Sequence, residues 1–345
     1  MKKQVVILGI ESSCDETAAS VLAGRMDTVD PNFKSFSTII NSQAQIHAQY
    51  GGVVPEMAAR NHIENIGPVV AEALKVANKK LNDLDYIAVT SGPGLIPSLI
   101  VGVEYAKGLA YATKKLLLPT NHMEGHLYSA FQNGKTAFPL LSLIVSGGHT
   151  MLVLMTAENK YKVIGQTVDD AVGEAFDKVG KMLGLPYPGG PEVSKIAAHA
   201  KKEILFTQPM LHSGDFNFSF SGLKTAVRQL LQKEYKILTE QDTADICAGF
   251  QNTAIGVLST KTFQAAKKYK VKTIALGGGV SANKMLRETL AAKCAEEGLK
   301  FLKPPHSLCT DNAEMIAMAA YFNLRNGSKG VSPLNVKADP NWEIV

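Results

Sequence analysis

The chain has 345 residues, enough for about two domains, and carries a net charge of +5 from 36 basic and 31 acidic side chains. Hydrophobic residues make up 46% and charged residues 19% of the sequence, which excludes a disordered chain, a fibrous protein and a small disulfide scaffold. No stretch reaches the roughly 18 consecutive apolar residues of a membrane span, so we expect a globular, cytoplasmic protein.

The charge is distributed unevenly along the chain. Residues 1–140 contain 12 basic and 12 acidic side chains, whereas residues 141–345 contain 24 and 19. This surplus is compatible with a polyanionic partner, although it is also ordinary for an enzyme. The four cysteines lack CxxC spacing, and we expect them to be reduced thiols.

The first part of the chain predicts three strands followed by a helix, a strand and a helix. An apolar run at 5–10, a small polar turn at 11–16 and a β-rich stretch at 17–23 are typical of a hairpin. The elements that follow are a short strand at 36–40, a helix at about 55–79, a strand at 86–90 and a helix at about 97–114.

The same order recurs in the second part. Strands are predicted at 141–145, 151–156, 161–166 and 273–276, and helices after residue 169, at about 282–297 and at about 312–326. We interpret this as an internal duplication, although two such runs could also arise by chance. It would give the α/β, ribonuclease-H-like fold of actin, Hsp70 and sugar kinases, with a nucleotide in a cleft between two lobes. We expect the lobes to span 1–135 and 136–345, with the last helix a candidate to pack back on the first lobe.

The segment 121–126 contains two histidines four residues apart. His122 and His126 would share one face of a helix and could bind one metal ion through both imidazoles, or they could pack at a helix end. The segment differs from the HExxH motif of zinc proteases, because Glu124 lies about 200° around the helix from His122. That position excludes Glu124 as a protease base.

Three glycine-rich turns, at 146–149, 187–191 and 277–283, could bring backbone close to a ligand. The first and third follow predicted strands, and the third leads into a helix whose amino terminus attracts anions. Asn283 could cap that helix or bind a ribose or base.

Further candidates allow two interpretations each. Glu174 and Asp177 share a helical face that suits hydroxyl recognition or is simply solvated. Asp311 could cap the last helix or be a third metal ligand. The segment 217–224 contains aromatic, hydroxyl and lysine side chains that could stack on nucleic acid, or it could be a core strand with an exposed loop.

Eight segments, in this order along the chain, resemble the motifs of the TsaD family in its bacterial form. They are residues 9–17, 50–56, 122–126, 145–150, 173–178, 218–225, 277–283 and 309–312. The family consists of tRNA N6-adenosine threonylcarbamoyltransferases. The resemblance implies transfer of threonylcarbamoyl from threonylcarbamoyl-AMP to the N6 amine of the adenosine 3′ of the anticodon, in tRNAs reading codons that start with A. The products would be N6-threonylcarbamoyladenosine (t6A) and AMP, and the protein partners would be TsaB and TsaE.

The resemblance also implies the site residues. One divalent metal, Fe2+ or Zn2+, would be bound by His122, His126 and Asp311. The adenylate would be held by Val145, Ser146, Gly147, Gly148, His149, Asp177, Gly190 and Asn283. Ser194 stands where many relatives have an acidic residue near the ribose, which weakens one substrate contact.

The first hairpin turn should face the cleft, so Asp15 and Glu16 are candidates for accepting a proton or orienting the base. Two other functions are compatible with the same residues, namely a metal-dependent glycoprotease and an ATPase or kinase. For the tRNA, the charge distribution points to lysines of the second part, such as Lys178, Lys181 and Lys224.

Overall fold

The computed structural model describes residues 3–131 and 136–344. It divides into unit 1, Met1–Thr136 with Asp311–Val345, and unit 2, Ala137–Thr310. The expected lobe boundary after residue 135 lies outside the described residues. Residues 311–345 are grouped with unit 1, so the second unit ends at residue 310 instead of at residue 345.

Unit 1 contains a five-stranded sheet in the order β3-β2-β1-β4-β5. β1, β2 and β3 pair antiparallel, whereas β4 and β5 run parallel to β1. The elements of this unit are β1 (Gln4–Glu11), β2 (Glu16–Arg25), β3 (Phe33–Ser42), α1 (Ala44–Ala48), α2 (Pro55–Val76), β4 (Tyr86–Gly92), α3 (Ile96–Thr113), β5 (Leu116–Asn121) and α4 (His122–Tyr128).

Unit 2 contains a second five-stranded sheet in the order β8-β7-β6-β9-β10, with the same pattern of antiparallel and parallel pairs. Its elements are β6 (Leu140–Val145), β7 (Thr150–Ala157), β8 (Lys160–Gln166), α5 (Val172–Met182), α6 (Gly189–Ala197), α7 (Ser221–Glu234), α8 (Glu240–Tyr269), β9 (Thr273–Gly277), α9 (Lys284–Glu296) and β10 (Lys300–Leu302). The order of strands is the same in both units, which confirms the predicted duplication and the ribonuclease-H-like fold class.

The last helix, α10 (Ala313–Arg325), packs on the β1–β2 face of unit 1. Two glycines make this approach possible. A Cβ atom on Gly9 would lie 2.4 Å from the carbonyl oxygen of Ala313, and one on Gly24 would lie 2.3 Å from the ring of Tyr321. Ten of the 13 residues of the helix are buried, so its apolar side chains account for its position in unit 1.

Unit 2 is organised around α8, a helix of 30 residues of which 17 are buried. Thr239 starts this helix with a capping box, and Lys270 ends it in the left-handed conformation. The four cysteines are free, as expected, and burial raises the pKa of Cys247 to about 12 and that of Cys294 to about 11. Within the described ranges, none of the helices combines the length and apolar character that crossing a bilayer requires.

Candidate metal centre and glycine turns

Strand β5 runs directly into α4, and Asn121 determines where the helix begins. Its Oδ1 atom accepts hydrogen bonds from the backbone N–H groups of Met123, at 2.8 Å, and Glu124, at 3.4 Å. His122 and His126 therefore lie one turn apart on the same face of α4, with ring centroids separated by 4.6 Å. Both imidazoles are buried.

Asp311 lies against both histidines. Its Oδ1 atom is 3.5 Å from Nε2 of His122 and 3.2 Å from Nε2 of His126, and one ligand atom from each residue lies within 4.8 Å of the others. Asp311 is not the cap of the last helix, because the side chain of Asn312 accepts from the backbone N–H of Met315 and caps α10 instead. The structure thus brings together three residues that are separated by up to 189 positions in the sequence.

Glu11, at the end of β1, holds His122 from the side opposite Asp311. Its Oε2 atom lies 3.0 Å from Nδ1 of His122 and accepts from the Thr90 hydroxyl at 2.6 Å, while Oε1 accepts from the backbone N–H of Ser13 at 2.5 Å. A proton on Nδ1 that is donated to Glu11 leaves the Nε2 lone pair directed toward Asp311, as a metal ligand requires. Glu11 was not among the residues predicted from the sequence. The available signal was an acidic residue directly after the apolar run at 5–10, which must find a partner when it is buried.

The charges of this cluster depend on one another. Burial alone would lower the pKa of His122, but the carboxylates of Asp311 and Glu11 outweigh burial and raise it well above its usual value. Burial would raise the pKa of Asp311, but His122 and His126 hold it well below its usual range. The pKa of His126 is lowered, first by burial and then in part by the charge of His122. The buried carboxylate of Glu11 and the partly buried carboxylate of Asp311 therefore require a positive charge beside them.

A divalent cation fits these residues. The Nε2 atom of His126 is buried and makes no hydrogen bond of acceptable geometry with a described residue, although Asp311 is close. Such a nitrogen normally has a partner. Two imidazole nitrogens and one carboxylate oxygen form a donor set that suits Zn2+ or Fe2+.

Glu124 lies on another face of α4 and contacts α10. Its Oε2 atom accepts a hydrogen bond of 2.9 Å from the side-chain amide of Asn323. A metalloprotease would need this carboxylate beside the metal-bound water. The contact with α10 agrees with the exclusion of Glu124 as a protease base.

The hairpin turn that contains Asp15 and Glu16 is anchored by several hydrogen bonds. The carbonyl of Asp15 accepts from the backbone N–H of Gln43, and the carbonyl of Cys14 accepts from Nε2 of His62, each at 3.0 Å. Burial, followed by the charges of Asp311 and Asp15, raises the pKa of Glu16 well above its usual value. The turn therefore lies within electrostatic reach of the metal-ligand cluster.

In unit 2, the turn between β6 and β7 contacts two other segments. A Cβ atom on Gly278, whose φ is +87°, would lie 2.4 Å from the carbonyl oxygen of Val145, and one on Gly173 would lie 2.5 Å from that of Ser146. The turn thus meets both the start of α5 and the end of β9. A Cβ atom on Gly147 or Gly148 would meet nothing within 4 Å, so these two glycines border open space.

Asp177 and Asn283 organise the starts of two helices. Oδ1 of Asp177 accepts from the backbone N–H groups of Gly189, at 2.7 Å, and Gly190, at 3.2 Å, where α6 begins. Oδ1 of Asn283 accepts from the backbone N–H of Leu286, so Asn283 caps α9, which is one of the two roles expected for it from the sequence. The side-chain amide of Asn283 donates two hydrogen bonds of 2.8 Å, one to Ser194 Oγ and one to Gln251 Oε1. Gln251 was not identified from the sequence.

In unit 2, the structure agrees with the core-strand interpretation of residues 217–224 and shows ion pairs for two of the three lysines expected to contact tRNA. The tRNA contacts of these lysines stay a prediction. Phe218 and Phe220 are completely buried, so they belong to the core and cannot stack on bases. Lys178 and Lys224 both bind the carboxylate of Asp170, at 2.8 and 2.7 Å, so their charges are largely neutralised within the unit. Lys181 is exposed.

Comparison with known proteins agrees with the motifs. Residues 34–318 match the family model of TsaD, tRNA N6-adenosine threonylcarbamoyltransferase. A protein of that name from Clostridium botulinum strain 657 is 46% identical over all of this chain and 99% of its own length. Another, from Staphylococcus haemolyticus, is 44% identical over all of this chain and 98% of its own length.

A solved structure supports the fold alone. Full-length HypF, crystallised in a phosphate- and nucleotide-bound form, is similar with a TM-score of 0.60 at 13% identity. The similarity covers 96% of this chain but 56% of that one. The eight motifs, the duplicated sheets and the full-length similarity to curated relatives lead to one conclusion: the chain belongs to the TsaD family of tRNA N6-adenosine threonylcarbamoyltransferases.

Proposed function

We propose that this protein forms t6A by transferring threonylcarbamoyl from threonylcarbamoyl-AMP to the N6 amine of the adenosine 3′ of the anticodon, in tRNAs reading codons that start with A. The observation that carries the proposal is the 44–46% identity, over the full chain, to relatives named tRNA N6-adenosine threonylcarbamoyltransferase. The N6 nitrogen attacks the carbonyl carbon, the bond from that carbon to the phosphate oxygen breaks, and AMP leaves with the electron pair. One proton leaves the attacking nitrogen.

The amine is a weak nucleophile because its lone pair is delocalised into the adenine ring. The residues that would hold a divalent metal, Fe2+ or Zn2+, are His122, His126 and Asp311, and the metal would supply Lewis-acid polarisation. Glu11 would keep the proton of His122 on Nδ1, so that Nε2 is free to bind the metal. Asp15 and Glu16 are the carboxylates proposed to accept the proton or to orient the base.

The adenylate is proposed to lie along the glycine turns of unit 2. The backbone N–H groups of Gly147 and Gly148 and the start of α9 would face its phosphate, since amide hydrogens and helix amino termini attract anions. Asp177 and Gly190 would act through the start of α6, where Oδ1 of Asp177 accepts from the backbone N–H groups of Gly189 and Gly190. Asn283 would act mainly through its cap on α9, with Ser194 and Gln251 beside it.

TsaB and TsaE are the proposed protein partners, and the cytoplasm is the proposed site of action. The experiment that tests the function is to incubate the metal-loaded protein with threonylcarbamoyl-AMP, both partners and unmodified tRNA, and to analyse the nucleosides by mass spectrometry. We expect t6A in the tRNA and one AMP per modified nucleoside. A tRNA with guanosine at the target position is the matched control. Absence of t6A with folded, metal-loaded protein would contradict the proposal.

For the proton acceptor, Asp15→Asn and Glu16→Gln are compared in the same assay. We expect at least one of them to lower kcat by about 100-fold or more, in the range of general base catalysis. Metal content should stay unchanged in both variants, because neither residue belongs to the ligand set. Full activity in both variants would remove the turn from the reaction.

A further inference from the structure

Strands β6, β8, β9 and β10 of the unit 2 sheet begin at the same end of the sheet, and β7 ends there. This line across the strand ends forms one edge of the sheet. Leu140 of β6 pairs with Thr273 of β9, which pairs with Lys300 of β10. On the other side, Leu140 pairs with Met155 near the end of β7, which pairs with Tyr161 near the start of β8. Five strands at about 4.8 Å spacing make this edge about 19 Å wide. The glycine turn that follows β9 lies at the opposite end of the strands.

Lysines concentrate at this edge. Helix α8 ends there and leads through Lys270 into β9, while β8 and β10 begin there. We call this group the lysine edge; it consists of Lys160, Lys162, Lys267, Lys268, Lys270, Lys272 and Lys300. The acidic residues in the adjoining segments are Glu158, between β7 and β8, and Glu296 and Glu297, at the end of α9. Positive charge therefore predominates.

Four of these lysines have no acidic partner among the described residues: Lys267, Lys268, Lys270 and Lys272. All four are exposed, and they lie within six consecutive positions. They differ in this respect from Lys178 and Lys224, which are bound to Asp170. The ammonium group of Lys268 lies 5.1 Å from the ring centroid of Phe216, which keeps it near the surface of the unit.

We propose that the lysine edge binds the phosphate backbone of the tRNA outside the reacting nucleotide. The proposal rests on the proposed function. The five residues of β9 separate Lys272 from the glycine turn by about 16 Å, so the lysines would contact phosphates of the flanking stem. Backbone phosphates require only positive charge at suitable spacing, and they supply much of RNA affinity.

An acidic protein surface is a less suitable partner for this edge. Protein interfaces combine an apolar core with a polar rim. None of the exposed large apolar side chains of the described residues lies within 158–162, 267–272 or 296–300. Charge without an apolar centre therefore favours a nucleic-acid backbone.

The test is a quadruple variant in which Lys267, Lys268, Lys270 and Lys272 are changed to Gln. A matched control removes the same charge from four other exposed lysines of unit 2 that have no acidic partner among the described residues. The control positions are Lys195, Lys201, Lys233 and Lys236. Binding of full-length tRNA is measured between about 50 and 200 mM salt, and t6A formation is measured alongside.

Each phosphate contact contributes about 0.7 to 0.9 to the slope of log affinity against log salt. We expect the slope of the quadruple variant to fall by about 1.5 to 3, which corresponds to two to four contacts, and that of the control by less than about 0.5. The KM for tRNA should rise at least tenfold at unchanged kcat. A short anticodon-loop oligonucleotide, which lacks the stem, should bind both variants like the wild type.

Equal slopes in the variant and the control would overturn the proposal. So would a variant that loses affinity for TsaB or TsaE but keeps the wild-type slope for tRNA, because the edge would then be a protein-binding surface. These outcomes are distinct from failure of the proposed function, in which the wild-type protein itself forms no t6A.

Discussion

The contact between Glu11 and His122 allows a quantitative prediction. Glu11→Gln keeps the size of the side chain and its ability to accept one hydrogen bond, but it removes the negative charge 3.0 Å from Nδ1 of His122. Glu11→Ala removes the contact entirely. Both variants retain His122, His126 and Asp311, so any change in metal affinity arises from the orientation and basicity of His122 rather than from loss of a ligand.

The magnitude follows from the geometry. Partners of metal-bound histidines usually contribute 10- to 100-fold to metal affinity, or about 1.4 to 2.7 kcal/mol. A charge-assisted hydrogen bond is about twice as strong as a neutral one, so Glu11→Gln should lose roughly half of this free energy. We expect metal affinity to fall about 3- to 10-fold in Glu11→Gln and 10- to 100-fold in Glu11→Ala.

The assay is a titration of metal-free protein with Zn2+ in competition with a chromophoric chelator. Glu124→Gln is the matched control, because it alters a carboxylate of the same helix that contacts Asn323 of α10. Its metal affinity should stay within twofold of the wild type. Wild-type affinity in folded Glu11→Gln and Glu11→Ala proteins would refute the assigned role of Glu11.

Three further predictions concern unit 2. Gly148→Val should weaken adenylate binding at least tenfold in a calorimetric titration while the melting temperature changes by only a few degrees, because its Cβ position faces open space; unchanged affinity would remove this turn from the site. Gly189→Ala should lower the free energy of unfolding by about 1–3 kcal/mol, because its Cβ atom would lie 2.8 Å from Cα of Asp177. Gly190→Ala is the control and should change the free energy of unfolding by less than about 0.5 kcal/mol, because the nearest atom to its Cβ, Cβ of Phe176, lies 3.8 Å away. Equal urea midpoints for the two variants would contradict this. Asp170→Asn should cost about 1–2 kcal/mol near neutral pH. Burial would raise the pKa of Asp170, but its two lysines lower it, so its contribution is present above the unfolded pKa of about 3.9 and is lost as the pH falls through the lower folded pKa. The stability difference between the wild type and Asp170→Asn should therefore narrow as the pH falls below about 4, and a difference independent of pH would disprove this.

The order of elements could be predicted because most strands are short apolar runs between polar turns. The exceptions are instructive. Helix α8 is buried on several faces, so its 30 residues lack the single apolar stripe that identifies an amphipathic helix. Strand β5 contains Pro119, which weakens a strand pattern, yet it pairs in parallel with β4. In both cases tertiary burial, rather than local periodicity, determines the element.

The candidate site could be predicted only where spacing along one element carries information. His122 and His126 share a helix, so their separation by four residues indicated a shared ligand. Glu11 reaches His122 in unit 1 through strand pairing, and Gln251 reaches Asn283 in unit 2 through helix packing. Neither contact can be predicted from the spacing of residues along one element. The distinction between Asp311 and Asn312 as the cap of α10 depends on one peptide unit, and sequence preferences do not resolve that.

The duplication places two turns of different composition at equivalent positions of the two units. Both units have the same strand order, so the turn after β1 and the turn after β6 occupy equivalent positions. The first contains Asp15 and is followed by Glu16, whereas the second contains Gly147 and Gly148, whose Cβ positions are open. Carboxylates suit proton transfer but repel phosphate, and bare backbone N–H groups attract phosphate but cannot accept a proton. In the proposed reaction, the first turn would therefore serve the acceptor amine and the second would serve the adenylate.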